Sequence, residues 1–132
     1  MCSSACPGRK SAARPEQKVV VITKASQGIG ADLVKRFLDR GYRVLANSRT
    51  IKLSGRSDLP TVPGDISEPD TATRIIEAAI DAFDRVDTLV NNAGVFLPKA
   101  FVDYSDADFS TVVGVNLEGY LRLSKLRASN IF

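Results

Sequence analysis

The feature that most constrains the fold of this chain is an apolar run followed by a glycine-rich turn, KVVVITKASQGIG at residues 18–30. Residues 19–22 are apolar and β-branched, which is typical of a short strand buried on both faces. A helical period begins at Gly28, directly after the turn. The order of strand, turn and helix points backbone N–H groups and a helix N-terminus at one place, where they can bind a phosphate. Taken alone, Gly28 and Gly30 are equally compatible with a tight turn that binds nothing.

The rest of the chain alternates strands with helices. The predicted strands are residues 19–22, 42–46, 61–62 and 87–91, and a polar loop is expected at residues 48–60. The predicted helices are residues 28–40, residues 68–83 and a long helix that begins after a cap at Ser105. Their apolar stripes are Ile29, Leu33, Val34, Phe37 and Leu38; then Ile75, Ile76, Ala79, Ile80 and Phe83; then Phe109, Val112, Val113, Leu117, Tyr120 and Leu121.

This alternation predicts the fold class. Strands separated by helices favour a parallel sheet with right-handed crossovers, so we expect an α/β protein. The first strand–helix–strand unit, with its glycine-rich turn, is typical of a Rossmann-type doubly wound sheet.

Composition limits the classes of function. The 132 residues are enough for one domain, and a composition of 44% hydrophobic and 25% charged residues is that of a globular protein. The net charge of +3 comes without a basic stripe or an aromatic platform, so we expect no nucleic-acid partner. No run has the length of a membrane span, and we expect no membrane partner.

The first 17 residues have a different composition from the rest. They lack hydrophobic periodicity, so we expect a disordered extension at residues 1–17 and one domain at residues 18–132. Cys2 and Cys6 are the only cysteines of the chain, which contains no histidine. This excludes a usual zinc site and favours reduced thiols in a cytoplasmic protein.

Several short motifs together resemble one family. Asn91-Asn92-Ala93-Gly94 follows a predicted strand, and residues 23–30 (TKASQGIG), Gly64-Asp65 and Val115-Asn116 occur in the matching order. In these motifs and their spacing, residues 18 to about 125 resemble the N-terminal half of a short-chain dehydrogenase/reductase. The resemblance implies a small carbonyl or alcohol substrate and a nicotinamide dinucleotide cofactor.

The resemblance also implies which residues contact the cofactor. The turn from Thr23 through Gly28, Ile29 and Gly30 would hold the diphosphate, and its glycines would allow close approach. Ser26 and Gln27 would contact the adenosine side or the phosphates.

Further contacts follow later in the chain. Asp65 would contact the adenine with Ile66 beside the ring, although Asp65 is also a common turn residue. Asn92, Ala93 and Gly94 would pass close to the ribose, while Asn91 would tie neighbouring strands together. Asn116 resembles the catalytic asparagine that holds a water in the proton relay; the alternative is a tolerated surface asparagine.

The end of the second strand indicates which dinucleotide is preferred. Members that prefer NAD usually have an acidic residue there, which binds the ribose 2′-OH. This chain has Asn47, Ser48 and Arg49 instead, and a guanidinium can pair with a 2′-phosphate. We therefore expect NADP(H) rather than NAD(H); the alternative is a solvated loop arginine.

One residue of the turn departs from the family. Lys24 occupies the position of the first glycine, where a positive φ or a bare backbone would make a side chain costly. We expect weaker cofactor binding as a result. The alternative is that the ammonium contacts a phosphate.

The family's catalytic tyrosine, with a lysine four residues later, is not found. Tyr42, Tyr104 and Tyr120 are followed at that distance by Ala46, Asp108 and Ser124. We therefore expect a truncated chain with little or no turnover alone. The family's strand order, 3-2-1-4, would leave the fourth strand at an edge, which favours a homo-oligomer or pairing with a full-length relative. Two alternatives stay open: a non-catalytic remnant that binds nucleotide, and a fragment that binds nothing.

Overall fold

The computed structural model describes residues 17–129 and contains the predicted alternation of strands and helices. Its strands are β1 (Val19–Ile22), β2 (Arg43–Ser48), β3 (Thr61–Pro63) and β4 (Thr88–Val90). Its helices are α1 (Gly28–Asp39), α2 (Pro69–Phe83), α3 (Asp106–Val113) and α4 (Tyr120–Ser129), with a short 3₁₀ turn at Phe101–Asp103 and a π-helical segment at Gly114–Gly119. Cys2, Cys6 and nearly all of the predicted extension lie outside the described residues, so the predicted domain boundary stays a prediction.

The four strands form one parallel sheet in the order β3-β2-β1-β4, which confirms the α/β Rossmann-type prediction and the predicted strand order. Val20 of β1 pairs with Val44 of β2 on one side and with Thr88 of β4 on the other. Because parallel strands end at the same edge, the loops that follow β1, β2, β3 and β4 meet there.

The sheet is covered on both faces. Val21 faces a cluster that includes Leu45, Ile75 and Ala79, whereas Val20 and its same-face neighbours contact the α1 side. Successive side chains of a strand point to opposite faces, so β1, flanked on both sides and covered above and below, is fully buried. This explains the continuous apolar run that dominates the sequence.

Helix α1 follows the prediction except in its first turn. It ends at Asp39, with Gly41 at a φ of +83° just beyond, and Leu33, Val34, Phe37 and Leu38 pack against the sheet. Ile29, placed in the same stripe by its spacing, is 73% exposed. The next residue, Gly30, is the one buried against the protein interior. Successive residues of a helix point in directions about 100° apart, so the Ile29 side chain points to solvent.

The second strand runs two residues beyond its predicted end. Asn47 and Ser48 pair with Val62 and Pro63 of β3, and both are buried. The predicted loop therefore begins at Arg49 rather than Ser48, and residues 49–60, all described, contain neither helix nor strand. Within the described sheet β3 is an edge strand, where the missing N–H of Pro63 costs no ladder hydrogen bond.

The long third helix begins as predicted but is not uniform. A capping box closes its start, because Ser105 Oγ accepts from the Asp108 N–H and an Asp108 carboxylate oxygen accepts from the Ser105 N–H. A π-helical segment, Gly114–Gly119, then separates α3 from α4. Its wider turns change the spacing at which residues return to one face.

The predicted stripe on this helix is wrong for Phe109, Leu117, Tyr120 and Leu121, which are exposed, whereas Val112 and Val113 are half-buried. Phe109, Leu117 and Leu121 are 64%, 51% and 53% exposed. The residues buried against the body of the protein are Gly114, Gly119 and Leu123. Because the π-helical segment shifts the register, a stripe drawn at 3.6 residues per turn does not follow the buried face from Gly114 onward. Phe109 precedes the segment, so the shift does not account for its exposure.

This difference gives a stability test. Leu123→Ala should lower the free energy of unfolding by about 2–5 kcal/mol, since a fully buried side chain leaves a cavity between α4 and the core. Leu121→Ala, two residues away on the exposed face, should change it by about 0.5 kcal/mol or less. Urea unfolding of both variants measures the two values, and a larger loss for Leu121→Ala would contradict the observed orientation.

Candidate functional site

A cleft opens at the edge of the sheet where the strands end. Its volume is about 370 Å³. The loops after all four strands line it, together with the end of β2, α3 and the π-helical segment: Lys24, Ser26, Gln27, Asn47, Ser48, Arg49, Thr50, Gly64, Asp65, Ile66, Ser67, Ala93, Gly94, Val95, Thr111 and Val115. In open sheets of this kind, ligands bind outside the carboxyl ends of the strands, where the strand order reverses. Here that point lies between β1 and β4.

The glycine-rich turn has the geometry of a close backbone approach. A β-carbon on Gly30 would lie 2.0 Å from the Lys24 carbonyl oxygen and 2.8 Å from Asn92 Nδ2, so no side chain fits there. Gly28 has a φ of +60°, a conformation that L side chains rarely adopt. The α1 N-cap residue, Gln27, makes no side-chain capping bond. The first N–H groups of α1 are therefore not capped by Gln27 and can serve an anion.

The Thr23 hydroxyl fixes the loop after β4 to the end of β1. Its oxygen accepts hydrogen bonds from the backbone N–H groups of Asn92, at 3.1 Å, and Ala93, at 2.9 Å. The Thr23 N–H donates to the Val90 carbonyl at 3.2 Å. Thr23 is buried, so it positions the loop and its side chain does not line the 370 Å³ cleft. Its predicted direct contact with a cofactor stays a prediction.

Lys24 has the positive φ that makes a residue with a side chain unusual at this position of the turn. Its φ is +50°, in the left-handed region that favours glycine. Its ammonium donates to the Gly94 carbonyl at 3.1 Å, and its own carbonyl accepts from Asn92 Nδ2 at 3.3 Å. The side chain thus joins the turn after β1 to the loop after β4.

The residues predicted for the adenosine side lie beyond β2 and β3. Arg49 is exposed at the cleft, and Ser48 accepts from the Thr50 N–H through its hydroxyl. Asp65 accepts from both the N–H and the hydroxyl of Ser67, at 2.9 and 2.7 Å, which is a local turn contact. Ile66 is buried and forms part of the cleft wall. The predicted residues are therefore brought together around one opening.

Asn116 lies in the π-helical segment, where it contacts the loop after β4. Its Oδ1 accepts from the Val95 N–H at 2.8 Å, and its Nδ2 donates to the Val95 carbonyl at 2.9 Å. These two bonds hold the loop and leave the amide one further N–H and one further lone pair. Asn91 contacts Ser124 of α4 through Nδ2, rather than a neighbouring strand as expected.

Sequence reasoning gave no role to Asn47, which the structure places at the base of the cleft. Its Nδ2 donates to the carbonyls of Val62, at 2.8 Å, and Gly64, at 3.2 Å, and so fixes the crossing from β2 to the loop after β3. The available signal was an amide at the end of an otherwise apolar strand. A buried polar side chain there requires partners, and those partners are the carbonyls of the neighbouring strand.

A second cavity of about 480 Å³ adjoins the cleft and shares Ser26, Gln27 and Thr50 with it. Its apolar wall includes Val34, Ala46, Ile51 and Leu59. Outside the linings of both cavities, the Lys99 ammonium lies 2.6 Å from the Asp108 carboxylate, and that hydrogen bond lowers the pKa of Asp108. Within residues 17–129, no helix has the length and apolarity to span a membrane, and no three potential metal ligands cluster.

Comparison with known proteins agrees with the fold and with the motifs. The family model described as short chain dehydrogenase matches residues 18–131. An 11-beta-hydroxysteroid dehydrogenase-like protein of Arabidopsis thaliana is 36% identical over 123 residues, which cover 85% of this chain and 41% of that protein. The chain spans about half the length, or less, of the curated relatives it matches.

Solved structures give the same result. A short-chain dehydrogenase/reductase from Brucella melitensis, of the glucose/ribitol dehydrogenase type, has a TM-score of 0.81 at 26% identity, covering 86% of this chain and 52% of that one. A short chain dehydrogenase from Leptospira borgpetersenii, solved with bound NAD+, has a TM-score of 0.75 at 28% identity. That alignment covers 84% of this chain and 44% of the Leptospira protein.

The Thr23 contacts can be tested by a matched pair of variants. Thr23→Val leaves the Asn92 and Ala93 N–H groups without their acceptor and should lower the free energy of unfolding by about 1–3 kcal/mol. Thr23→Ser keeps the acceptor and loses one methyl group, so about 1 kcal/mol is expected. Urea unfolding gives both values. Hydrogen exchange of residues 91–95 should rise in Thr23→Val only, and equal exchange in both variants would contradict the assigned role.

Proposed function

This chain belongs to the short-chain dehydrogenase/reductase family, and from that premise we propose that its cleft binds a nicotinamide dinucleotide for oxidation of an alcohol or reduction of a carbonyl. The observation that carries the proposal is the turn at Gly28–Gly30. There a bare backbone, a positive φ and the start of α1 coincide at the mouth of a parallel sheet. When bound, the dinucleotide supplies or accepts the hydride.

The residues of the cleft fit such a ligand. The uncapped start of α1 suits a diphosphate, which accepts from backbone N–H groups and is favoured by the helix dipole. On one side of it, Ser48, Arg49, Asp65 and Ile66 would surround the adenosine. On the other side, Asn92, Ala93 and Gly94 would pass the second ribose, and Ser26 and Gln27 would contact the phosphates. Thr23 would act through the loop it fixes.

We further propose NADP(H) as the preferred dinucleotide. No carboxylate follows β2 to bind a ribose 2′-OH, and the exposed Arg49 guanidinium is available for a 2′-phosphate. The short chain dehydrogenase from Leptospira borgpetersenii was solved with bound NAD+, so the proposed preference rests on this chain's own residues.

Titration calorimetry with both dinucleotides tests the proposed function and the cofactor preference. NADP(H) should bind more tightly than NAD(H), and Arg49→Gln should weaken NADP(H) by about tenfold, the equivalent of one charge-assisted hydrogen bond. The same change should leave NAD(H) nearly unaffected. Arg40→Gln, at the far end of α1, is the control. Tighter binding of NAD(H) to the unaltered chain would contradict the preference, and no binding of either would contradict the function.

Few side chains of this chain are candidates for donating or accepting the proton in the proposed reaction. Two tyrosines have structural contacts: Tyr104 donates to the Leu97 carbonyl at 2.7 Å, and the Tyr42 ring packs edge-on against Phe37. None of the three tyrosines is followed by a lysine four residues later. Asn116 would hold a relay water with its remaining N–H and lone pair. We therefore propose that these 132 residues alone turn over little or no substrate.

A second candidate function is a non-catalytic nucleotide-binding chain that associates with a partner chain. The observation that favours it is the exposure of three large apolar side chains: Phe109 in α3, Leu117 in the π-helical segment and Leu121 in α4. Within the described sheet, β4 also has only β1 as a neighbour. A turnover assay with a panel of carbonyl compounds tests the second candidate, because NADPH oxidation would contradict it. Binding without turnover is expected of both, and the association measurement then separates them.

Sedimentation velocity tests the association. We expect concentration-dependent self-association of the unaltered chain, since the exposed apolar side chains of Phe109, Leu117 and Leu121 favour burial against another chain. Leu117→Glu combined with Leu121→Glu should shift the protein to monomer. Ser110→Glu combined with Ala128→Glu adds the same charge at other exposed positions, in α3 and α4, and should leave the association unchanged. A monomeric unaltered chain at every concentration would contradict self-association.

A further inference from the structure

The Lys24 side chain spans the point where the strand order of the sheet reverses. It leaves the turn after β1, and its ammonium donates to the Gly94 carbonyl in the loop after β4 at 3.1 Å. β1 and β4 are paired neighbours, and the sheet extends from β1 in the opposite direction through β2 and β3. Both partners line the cleft, so the contact stands between its β2 side and its β4 side.

The contact is separate from the bonds that hold the two loops together. Thr23, buried beneath it, binds the Asn92 and Ala93 N–H groups, and Asn92 Nδ2 donates to the Lys24 carbonyl. None of these bonds uses the ammonium. Replacing the ammonium should therefore leave both loops in place and change only what lies across the opening.

The β2 and β3 side of the cleft is organised differently. The Ser48 and Asp65 side chains accept hydrogen bonds from residues two positions later, Thr50 and Ser67, and Arg49 is exposed. The α1 N-terminus adjoins this side through Ser26 and Gln27, which line both cavities. The residues proposed to surround an adenosine thus lie at the ends of β2 and β3, whereas Gly94 lies in the loop after β4.

On the basis of the proposed function, we propose that Lys24 closes the β4 side of the cleft. The chain then binds a dinucleotide less tightly, relative to the adenosine phosphate that forms half of it, than it would without this ammonium. The second nucleoside of a dinucleotide has to displace the ammonium from the Gly94 carbonyl, and that bond is charge-assisted. An adenosine phosphate that ends at its phosphates leaves the bond intact. Lys24 is thus a residue that determines the class of nucleotide bound.

Two pairs of ligands isolate this effect. ADP is compared with NAD+, and adenosine 2′,5′-bisphosphate with NADP+, so that each dinucleotide has a fragment with the same adenosine end. Titration calorimetry on the full chain gives the ratio of dissociation constants, dinucleotide over fragment, within each pair. The ratio does not depend on which dinucleotide is preferred, because the 2′-phosphate is present in both members of a pair or in neither.

Lys24→Met keeps most of the stem and removes the ammonium. We expect it to lower the ratio by about fivefold in both pairs, the range of an exposed charge-assisted hydrogen bond. The fragments themselves should change by about twofold or less. Lys35→Met, which removes the same charge from an exposed position on α1, should leave the ratio unchanged. Hydrogen exchange of residues 91–97 without ligand should be the same in Lys24→Met as in the unaltered chain, because the Thr23 and Asn92 bonds still hold the loop.

The outcomes separate this inference from the function on which it rests. An unchanged or higher ratio in Lys24→Met overturns the inference while fragment binding keeps the proposed function. Equal improvement of fragment and dinucleotide also overturns it, because the lysine would then act on the shared half. If no variant binds any of the four ligands, the proposed function fails and the inference fails with it.

Discussion

The site depends on the close approach of Gly30 to the Lys24 carbonyl. With a β-carbon at Gly30 only 2.0 Å from that oxygen, the start of α1 can lie against the turn only if position 30 has no side chain. This contact sets where α1 begins relative to β1, and therefore where its first N–H groups point. The Lys24 carbonyl also accepts from Asn92, so the loop after β4 takes its position from the same atom. The three elements that would surround a diphosphate thus meet at one backbone group.

The sequence predicts best where one physical requirement dominates. β1 is buried on both faces, so its residues must all be apolar, and no other pattern competes with that assignment. The stripe of α2 was also predicted correctly, because Ile75, Ile76, Ala79 and Phe83 return to one face at regular α-helical spacing. Strand order followed from the motifs once the family resemblance had been identified.

The errors have a common physical cause, which is that local patterns do not contain tertiary contacts. β2 continues to Ser48 because β3 offers pairing partners for Asn47 and Ser48. The local sequence of β2 does not indicate that these partners exist. The third helix changes its register through a π-helical segment, so Leu123 is buried while Leu121 is exposed. Lys24 was identified from the sequence as an unusual residue for its position. Its bond to Gly94, 70 residues later, needed the three-dimensional arrangement.

The two cations of the cleft illustrate why position matters more than net charge. Arg49 is exposed just after β2. Salt screens its charge there, so it stabilises mainly an anionic group in direct contact with it. The Lys24 ammonium already has a carbonyl partner within the protein, so a phosphate gains from it only what exceeds that existing bond. A lysine in this turn is therefore not equivalent to added positive charge. Its contribution depends on the difference between two partners, and the loop after β4 supplies one of them.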